Sequence, residues 1–391
     1  MSNPFKSTQS GLGISQIIFG LLLSLLLPAL AWAENGVNDN RILLGQSAAF
    51  SGPAAQLGIQ LHAGAKVYFD ALNEKGGVYG RKVEIITADD KYESELAAAN
   101  TRKLIETDDV FALFGYVGTP TSNAALPIFT KAKVPFFAPF TGAQSLREPF
   151  YREVFNIRSS YFDETEHLVR GLVQNGMKNI AVFYQNDAYG QTGLAGVERA
   201  LKHFNLPVVA TATVERNSND VKAAVNKILP FKPDAIIQIS AYSSSAAFVQ
   251  AMRRSSYLGM FYNVSFVGSQ ALADALGGEG AGTIISQVVP FPWSSATPVV
   301  SEYQKAMKKA GQEKNINFSS LEGYIAAKVF TEGLRRAGRD LTRPKLIRAL
   351  ETIDGSDYDM GGFSVNFSPT NHNGSKFVDM TVIGKNKQFS H

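Results

Sequence analysis

Short apolar segments alternate with helix-like segments along most of the chain, and this alternation restricts the fold more than any other feature. The apolar segments form two series, at 41–47, 83–87, 110–114 and 134–137, and then at 180–184, 208–213, 235–239 and 261–266. Apolar strands separated by helices are typical of parallel sheets that are covered on both faces. The length of 391 residues also exceeds one ordinary core. The predicted fold class is therefore α/β, with two doubly wound parallel-sheet lobes.

The C-terminal part of the chain does not repeat this alternation. It carries helix-like segments at 298–310, 321–337 and 343–351, and then alternating residues around Pro369 and Gly374 that predict a β-hairpin. We expect a tail of this length to be shared between the lobes. The predicted domains are a signal peptide at 1–33, a first lobe at 34–157 plus about 290–360, and a second lobe at 158–289 plus about 361–391.

The N-terminus has the pattern of an export signal. Lys6 precedes an apolar stretch from Ile14 to Leu27, which is shorter than the roughly 20 residues that a membrane span needs. The small residues Ala31 and Ala33 flank Trp32 and predict cleavage after Ala33. An uncleaved anchor is the alternative. The chain contains no cysteine, which excludes a cysteine-linked lipid anchor, disulfides and thiolate sites. We expect an exported, periplasmic protein.

The sequence offers little support for an enzyme. Its five histidines have no zinc-type spacing, and neither a Gly-x-Ser-x-Gly elbow nor a Walker loop is present. The glycine-rich run 277–282 follows a helix rather than a strand, which is the wrong context for a dinucleotide site. The acidic pairs 89–90 and 108–109 flank predicted helices, where solvated charges are expected. We therefore predict no catalytic residues, no metal and no cofactor.

The charge distribution limits the partners. The net charge is only +4, and no long run of lysine or arginine occurs. Proteins that bind nucleic acid usually carry a clustered basic surface, so we expect no nucleic-acid partner.

Six predicted strand ends carry small, polar or aromatic residues. These loops read SGPAAQLG (51–58), GTPTS (118–122), PFTGAQS (139–145), YQNDAYG (184–190), SAYSSS (240–245) and VGSQAL (267–272). Each loop alone also fits an ordinary turn. Because the crevice of an open α/β sheet lies at the carboxyl ends of its strands, the six together suggest two walls around a small polar solute. Phe140, Tyr189 and Tyr242 are available to cover an apolar part of that solute.

Four segments carry a family resemblance: ILLGQSAAFSGPAAQLG, LNEKGGVYGRKVEIITADDKYES, VPFFAPFTGA and NDAYGQTGL. They are similar to the type I periplasmic solute-binding proteins of ABC importers, and most closely resemble the leucine/isoleucine/valine-binding branch. The resemblance runs from about Arg41 to Lys385. It implies a Venus-flytrap fold with a multi-strand hinge, a small-molecule solute between the lobes, and docking on an ABC permease in the inner membrane. We expect a monomer.

The resemblance also implies the ligand-binding residues. The solute carboxylate would be held by Gly118 and Thr119 in one loop and by the segment Phe140, Thr141 and Gly142 in the next. Amide and hydroxyl groups can hold an anion without a buried counter-charge. A stacking tyrosine of the family falls on Tyr189. The alternative roles are helix capping for the two threonines and packing between the lobes for the tyrosine.

Several positions depart from the family pattern. The family's acid for the solute ammonium falls on Gln270 in a gapless local alignment, and a second tyrosine falls beside Tyr242. Ser51 lies near the cleft, and an aromatic next to its loop becomes Leu57. An amide in place of an acid suggests a carboxylate or amide solute without a free ammonium, or an aromatic acid.

Other acids and other functions stay open at this point. Asp187 or Glu322 could supply a carboxylate to the cleft in place of Gln270. A flytrap protein that signals to a membrane receptor or regulator fits the sequence equally well. An exported hydrolase is disfavoured because the sequence shows no nucleophile with a matching base.

Overall fold

The computed structural model describes residues 1, 2, 4 and 34–391. The predicted signal peptide and its cleavage after Ala33 lie outside the described residues, apart from the first few. Among the helices in the described part of the chain, none combines the length and the apolarity needed to cross a membrane.

The first lobe is built on a parallel sheet of five strands. The strands are β1 (Arg41–Ala48), β2 (Lys82–Asp89), β3 (Ala112–Phe114), β4 (Phe136–Phe137) and β5 (Val154–Phe155), in the order β2-β1-β3-β4-β5. The helices that connect them are α1 (Ala55–Glu74), α2 (Ser94–Glu106) and α3 (Thr119–Ala132). The order reverses between β1 and β3, so the loops after these two strands diverge and leave a crevice at their carboxyl ends.

The second lobe contains a sheet of seven strands. They are β6 (Ile180–Gln185), β7 (Ala210–Val214), β8 (Ala235–Ile239), β9 (Met260–Asn263), β10 (Ile284–Gln287), β11 (Asp379–Ile383) and β12 (Phe389–Ser390), in the order β12-β11-β10-β9-β8-β6-β7. The strands from β6 to β10 are parallel, and β11 and β12 are antiparallel additions at one edge. The connecting helices are α4 (Tyr161–Gln174), α5 (Ala188–Lys202), α6 (Lys222–Ile228), α7 (Tyr242–Arg254) and α8 (Ser269–Leu276). The predicted fold class, two doubly wound lobes, is confirmed.

Three further helices return to the first lobe. They are α9 (Pro298–Lys309), α10 (Phe318–Ala337) and α11 (Arg343–Leu350), and their apolar side chains join the core beneath the first sheet. Helix α10 packs directly on α1, because both helices carry a glycine at the contact. A Cβ on Gly64 would lie 1.7 Å from the Ser320 carbonyl oxygen, and one on Gly323 would lie 2.0 Å from the Leu61 carbonyl oxygen.

The chain passes between the two sheets three times within residues 34–391. The first passage follows β5, the second follows β10, and the third precedes β11. The first and third run side by side, since Asn156 accepts from the Gly374 amide at 2.8 Å and donates to the His372 carbonyl at 2.9 Å. These passages form the multi-strand hinge.

The tail differs from the sequence prediction in two respects. The hairpin is formed by β11 and β12, whereas the predicted turn at 368–371 closes only an isolated bridge between Ser368 and Asn371. Phe363, Val365 and Phe367 are buried in the core of the first lobe, although the prediction placed 361–391 in the second. Apolar side chains, rather than position along the chain, decide which core the segment joins. The other predicted boundaries stay a prediction.

Candidate functional site

Two buried threonine hydroxyls meet at the carboxyl edge of the first sheet. The pairing of β3 with β4 continues as a bridge between Val117 and Phe140, which brings the loop after each strand together. As a result, Thr119 Oγ1 lies 2.7 Å from Thr141 Oγ1, and both residues are fully buried. The two loops that the sequence selected are thus joined by this contact and by a hydrogen bond from the Gly118 amide to the Phe140 carbonyl at 3.2 Å.

Glycine is required at the start of α3. Gly118 has φ of +101°, a conformation that residues with a side chain rarely adopt. A Cβ at this position would also lie 2.2 Å from the Tyr92 ring. The glycine therefore allows the ring to close over the first turn of the helix, whose free amide groups favour an anion.

Tyr161, which the sequence did not indicate, extends the hydroxyl pair into the second lobe. Its Oη lies 3.2 Å from Thr141 Oγ1, and its amide donates to the Gly142 carbonyl at 2.8 Å. A Cβ on Gly142 would lie 2.6 Å from both the Tyr161 amide nitrogen and its ring, so the glycine is what allows this close contact. Ser160 and Asp163 form a capping box that begins α4 at Tyr161. The sequence signal for this residue was the capping pattern of Ser160 and Asp163, which predicts a helix that begins at Tyr161.

Tyr189 lies at the start of α5, opposite the hydroxyl pair. Asp187 caps this helix, since its Oδ1 accepts from the Tyr189 amide at 2.9 Å. The Tyr189 ring lies 5.1 Å from the Tyr161 ring, measured between centroids. The side chain is fully buried, yet its hydroxyl has no hydrogen-bond partner among the described residues. A buried hydroxyl without a protein partner is free to form a hydrogen bond with a bound solute.

Phe266 joins the rings of the two lobes. Its centroid lies 4.6 Å from that of Tyr189, 5.7 Å from that of Phe140 and 5.9 Å from that of Tyr92. The sequence placed this residue in a strand, but β9 ends at Asn263 and a 3-10 turn carries Phe266 out of the sheet. We call Tyr92, Phe140, Tyr161, Tyr189 and Phe266 the aromatic cluster; each has at most 1% of its surface exposed.

A buried ion pair lies beside the aromatic cluster at the hinge. Arg158 Nε and Nη2 donate to the two Glu322 carboxylate oxygens, each at 2.8 Å. The guanidinium lies 4.1 Å from the centroid of the Phe140 ring. Because Glu322 is bound at both oxygens by one arginine, it neutralises that arginine and is a poor candidate for a solute contact.

Glu164 is a second buried carboxyl group near the cluster. Its Oε2 accepts from the Ser265 amide at 2.7 Å and from Ser286 Oγ at 2.6 Å. Its Oε1 and Ser265 Oγ have no hydrogen-bond partner in the described part of the chain. Burial raises the pKa of the Glu164 carboxyl, and the nearby Arg158 lowers it. The sequence does not indicate this residue, because a glutamate inside a helix usually faces solvent.

The remaining predicted residues lie away from the hydroxyl pair. Ser51 Oγ donates to Asp89, which shapes its own loop. Tyr242 Oη accepts from the Gln56 amide at 3.4 Å and so touches the first lobe at the edge of the cleft. Gln270 is partly exposed, and its amide donates to Asp274 at 3.3 Å along the outer face of α8. None of the three hydrogen-bonds to the aromatic cluster.

Polar contacts between the lobes surround the aromatic cluster. Gln185 donates to Tyr92 Oη at 3.1 Å, and Arg216 forms a salt bridge of 3.0 Å with Glu93. Asn217 donates to Glu93 at 2.7 Å. These contacts hold the loops after β6 and β7 against the first lobe, so the structure is a closed form of the cleft.

A surface groove lies elsewhere on the molecule. It has a volume of about 520 Å³ and is lined by residues of the segment 359–377. It contains none of the residues that the sequence selected and no buried unpartnered charge. Among the described residues, no group of histidine, aspartate and glutamate side chains could hold a metal ion. The closed cleft is therefore the stronger site.

Two lobes closed over a buried cluster of hydroxyls and aromatic rings are typical of proteins that bind a small solute and change shape around it. The chain belongs to the periplasmic binding protein family, whose model matches residues 42–388. The predicted family is confirmed. Its members are binding proteins, which agrees with the prediction that this chain is not an enzyme.

Individual relatives agree with this assignment. The Leu/Ile/Val-binding protein homolog 7 of Brucella suis biovar 1 is 26% identical over 356 residues, covering 85% of this chain and 86% of the relative. A solved structure of a possible leucine/isoleucine/valine-binding protein from Rhodopirellula baltica SH 1 is 33% identical, covers 91% of this chain and 97% of its own, and has a TM-score of 0.86. The structure of a substrate-binding periplasmic protein from Ralstonia solanacearum is 34% identical, covers 89% of this chain and 99% of its own, and has a TM-score of 0.82.

Proposed function

We propose that this protein is the periplasmic solute-binding component of an ABC importer. It captures an amino-acid-like solute, or a small carboxylate or amide, between its lobes and delivers it to a permease in the inner membrane. The observation that carries the proposal is the fully buried Tyr189, whose unpartnered hydroxyl lies across the cleft from the bonded pair Thr119 and Thr141. Solute-binding names among the relatives support the same role.

The hydroxyl groups and the helix start suit the polar end of such a solute. Thr119 is the first residue of α3, where free amide groups and the helix dipole favour negative charge. Hydroxyls of Thr141 and Tyr161 can add hydrogen bonds without introducing a buried counter-charge. The rings of Phe140 and Phe266 then cover an apolar part of the solute.

Closure of the cleft couples binding to transport. The solute would contact both lobes, so it stabilises the closed form more than the open form. Contacts such as those of Gln185 and Arg216 across the cleft form only when the lobes meet. The closed form is then the one expected to dock on the permease.

A thermal-shift panel tests the proposal. The mature chain is heated with single amino acids, amides, and aliphatic or aromatic carboxylates, and hits are titrated by calorimetry. Binding to the folded state raises the midpoint of unfolding, and a solute at 100 times its dissociation constant adds about 2.7 kcal/mol to the free energy of unfolding. We expect at least one hit of micromolar affinity or tighter. A complete lack of hits would contradict the proposed solute classes, and turnover of a hit would point to an enzyme.

A further inference from the structure

Four aromatic rings meet at the surface beside the second passage between the sheets. Trp293 lies in that passage, and its ring stacks on Phe389 of β12, with 5.3 Å between the centroids. Phe318, the first residue of α10, makes edge-to-face contacts with both rings, at 5.6 and 5.7 Å. Phe291 completes the group at 5.2 Å from Trp293. We call these four residues the hinge rings.

The hinge rings are separate from the aromatic cluster of the cleft. Phe318 belongs to the core of the first lobe, and Phe291 and Phe389 pack against that core. The residues of the aromatic cluster belong to a different group of buried apolar side chains. Among the described residues, no pair of contacting rings joins the two sets. A ligand at the hinge rings would therefore occupy a site other than the cleft.

A cavity opens at the hinge rings. Its volume is about 370 Å³, and it is lined by Phe291, Trp293, Lys387, Gln388 and Phe389. This volume lies within the range of small-molecule sites and is enough for a molecule with one aromatic ring. The Trp293 side chain is 38% exposed, so a ring in the cavity would cover apolar surface that water now contacts.

Lys387 supplies the only charge in the lining of this cavity, and no acidic residue is part of that lining. Its Nζ lies 3.6 Å from Asp274 Oδ1, but the two side chains are 45% and 57% exposed. An ion pair this exposed is weak, so the ammonium can accept a second anionic partner. Aromatic walls with one ammonium group are complementary to a molecule that combines a ring with a carboxylate.

We propose that this cavity is a second ligand site, which binds a small aromatic carboxylate. The ring of the ligand packs beside Trp293 and Phe389, and its carboxylate accepts a hydrogen bond from Lys387 Nζ. The site lies outside the cleft, so the inference goes beyond the proposed function, and either of the two can fail while the other stands.

Trp293 allows binding at this cavity to be followed by its own fluorescence. It is the only tryptophan of residues 34–391, because the other one, Trp32, lies in the predicted signal peptide. Chain 34–391 is titrated with 3-phenylpropanoate and with 3-phenylpropanamide, which has the same ring and no charge. We expect the acid to displace water from Trp293, to shift its emission to shorter wavelength, and to bind about fivefold more tightly than the amide. Unchanged emission with both compounds, or equal affinity for the two, would overturn the inference.

The variant Lys387→Gln assigns the signal to this cavity. Lys387 is exposed, so its replacement is expected to leave the fold intact, and the unfolding midpoint checks this. We expect the affinity for 3-phenylpropanoate to fall about fivefold, to that of the amide, while the affinity for the amide is unchanged. The matched control is Lys385→Gln, an exposed lysine two residues earlier that does not line the cavity. An emission change that Lys387→Gln does not weaken would arise from binding elsewhere, such as in the cleft, and would overturn the inference.

Discussion

At the scale of one residue, removing the hydroxyl of Tyr189 tests whether this group contacts the solute. Because this buried hydroxyl has no partner in the described structure, Tyr189→Phe removes a group whose burial costs about 1–3 kcal/mol. The free energy of unfolding of the solute-free protein should therefore stay equal or rise, while solute affinity falls about tenfold. Urea unfolding and calorimetric titration measure the two quantities.

Tyr161→Phe is the matched control. Its hydroxyl is bonded to Thr141 at 3.2 Å, so its removal should lower the free energy of unfolding by about 1 kcal/mol. If Tyr189→Phe bound the solute with unchanged affinity, Tyr189 would be a packing residue between the lobes.

The burial of Asp90 predicts that the free energy of unfolding of this protein depends on pH. The sequence suggested a solvated acid, but the side chain is fully buried and bonded to Ser47 and to the Tyr92 amide. Burial raises the pKa of the Asp90 carboxyl from 3.8 to about 7. A raised pKa in the folded state means that this contribution to stability is complete below about pH 4 and is lost as the pH rises through 7.

The variant Asp90→Asn should remove this pH-dependent loss of stability. The amide has no charge to bury, so the variant should gain stability relative to the natural chain between pH 4 and pH 8, by up to roughly 4 kcal/mol. Urea unfolding at both pH values measures it, with the exposed Asp39→Asn as control. Parallel pH trends for Asp90→Asn and the natural chain would contradict the burial argument.

The sequence identified part of this site. Thr119, Thr141 and Tyr189 were selected because strand ends form crevices, and the structure brings them to one buried cluster; their contact with a solute stays a prediction. Glu164 and Phe266 were missed, because their burial depends on the packing of α4 and β9 across the hinge. A single sequence shows spacing along an element but not which distant element covers it.

At the scale of elements, the contact between α1 and α10 is the most sensitive to substitution. A methyl group on Gly64 would lie 1.7 Å from the Ser320 carbonyl oxygen, so Gly64→Ala must push the two helices apart. We expect a loss of about 3 kcal/mol in the free energy of unfolding. Gly278→Ala, where a Cβ meets nothing within 4 Å, is the control and should change it by less than about 0.5 kcal/mol. Equal stability of the two variants would contradict the close packing.

Most elements followed from periodicity, and the exceptions have a local cause. The alternation of apolar segments gave the parallel sheets, since strands covered on both faces are apolar throughout. Strand β5 was not predicted, because its two residues stand between polar neighbours, whereas the equally short β4 lies within the apolar segment 134–137. The predicted strand 261–266 continued too far, because apolar residues of the turn after Asn263 look like strand residues.

At the scale of the whole molecule, ion pairs at the hinge and across the cleft hold the two lobes together. Arg158 and Glu322 anchor the first passage between the lobes to α10, while Arg216 and Glu93 join the lobes beside the Tyr92 ring of the aromatic cluster. A solute that contacts Thr119 in one lobe and Tyr189 in the other would select this closed form.

The most direct measurement is a crystal structure of the mature chain with the tightest solute from the calorimetric panel. We predict electron density for the solute enclosed by the aromatic cluster, within hydrogen-bond distance of Thr119 or Thr141 in one lobe and of Tyr189 in the other. Density confined to the surface groove at 359–377, or a solute that contacts only one lobe, would contradict the account.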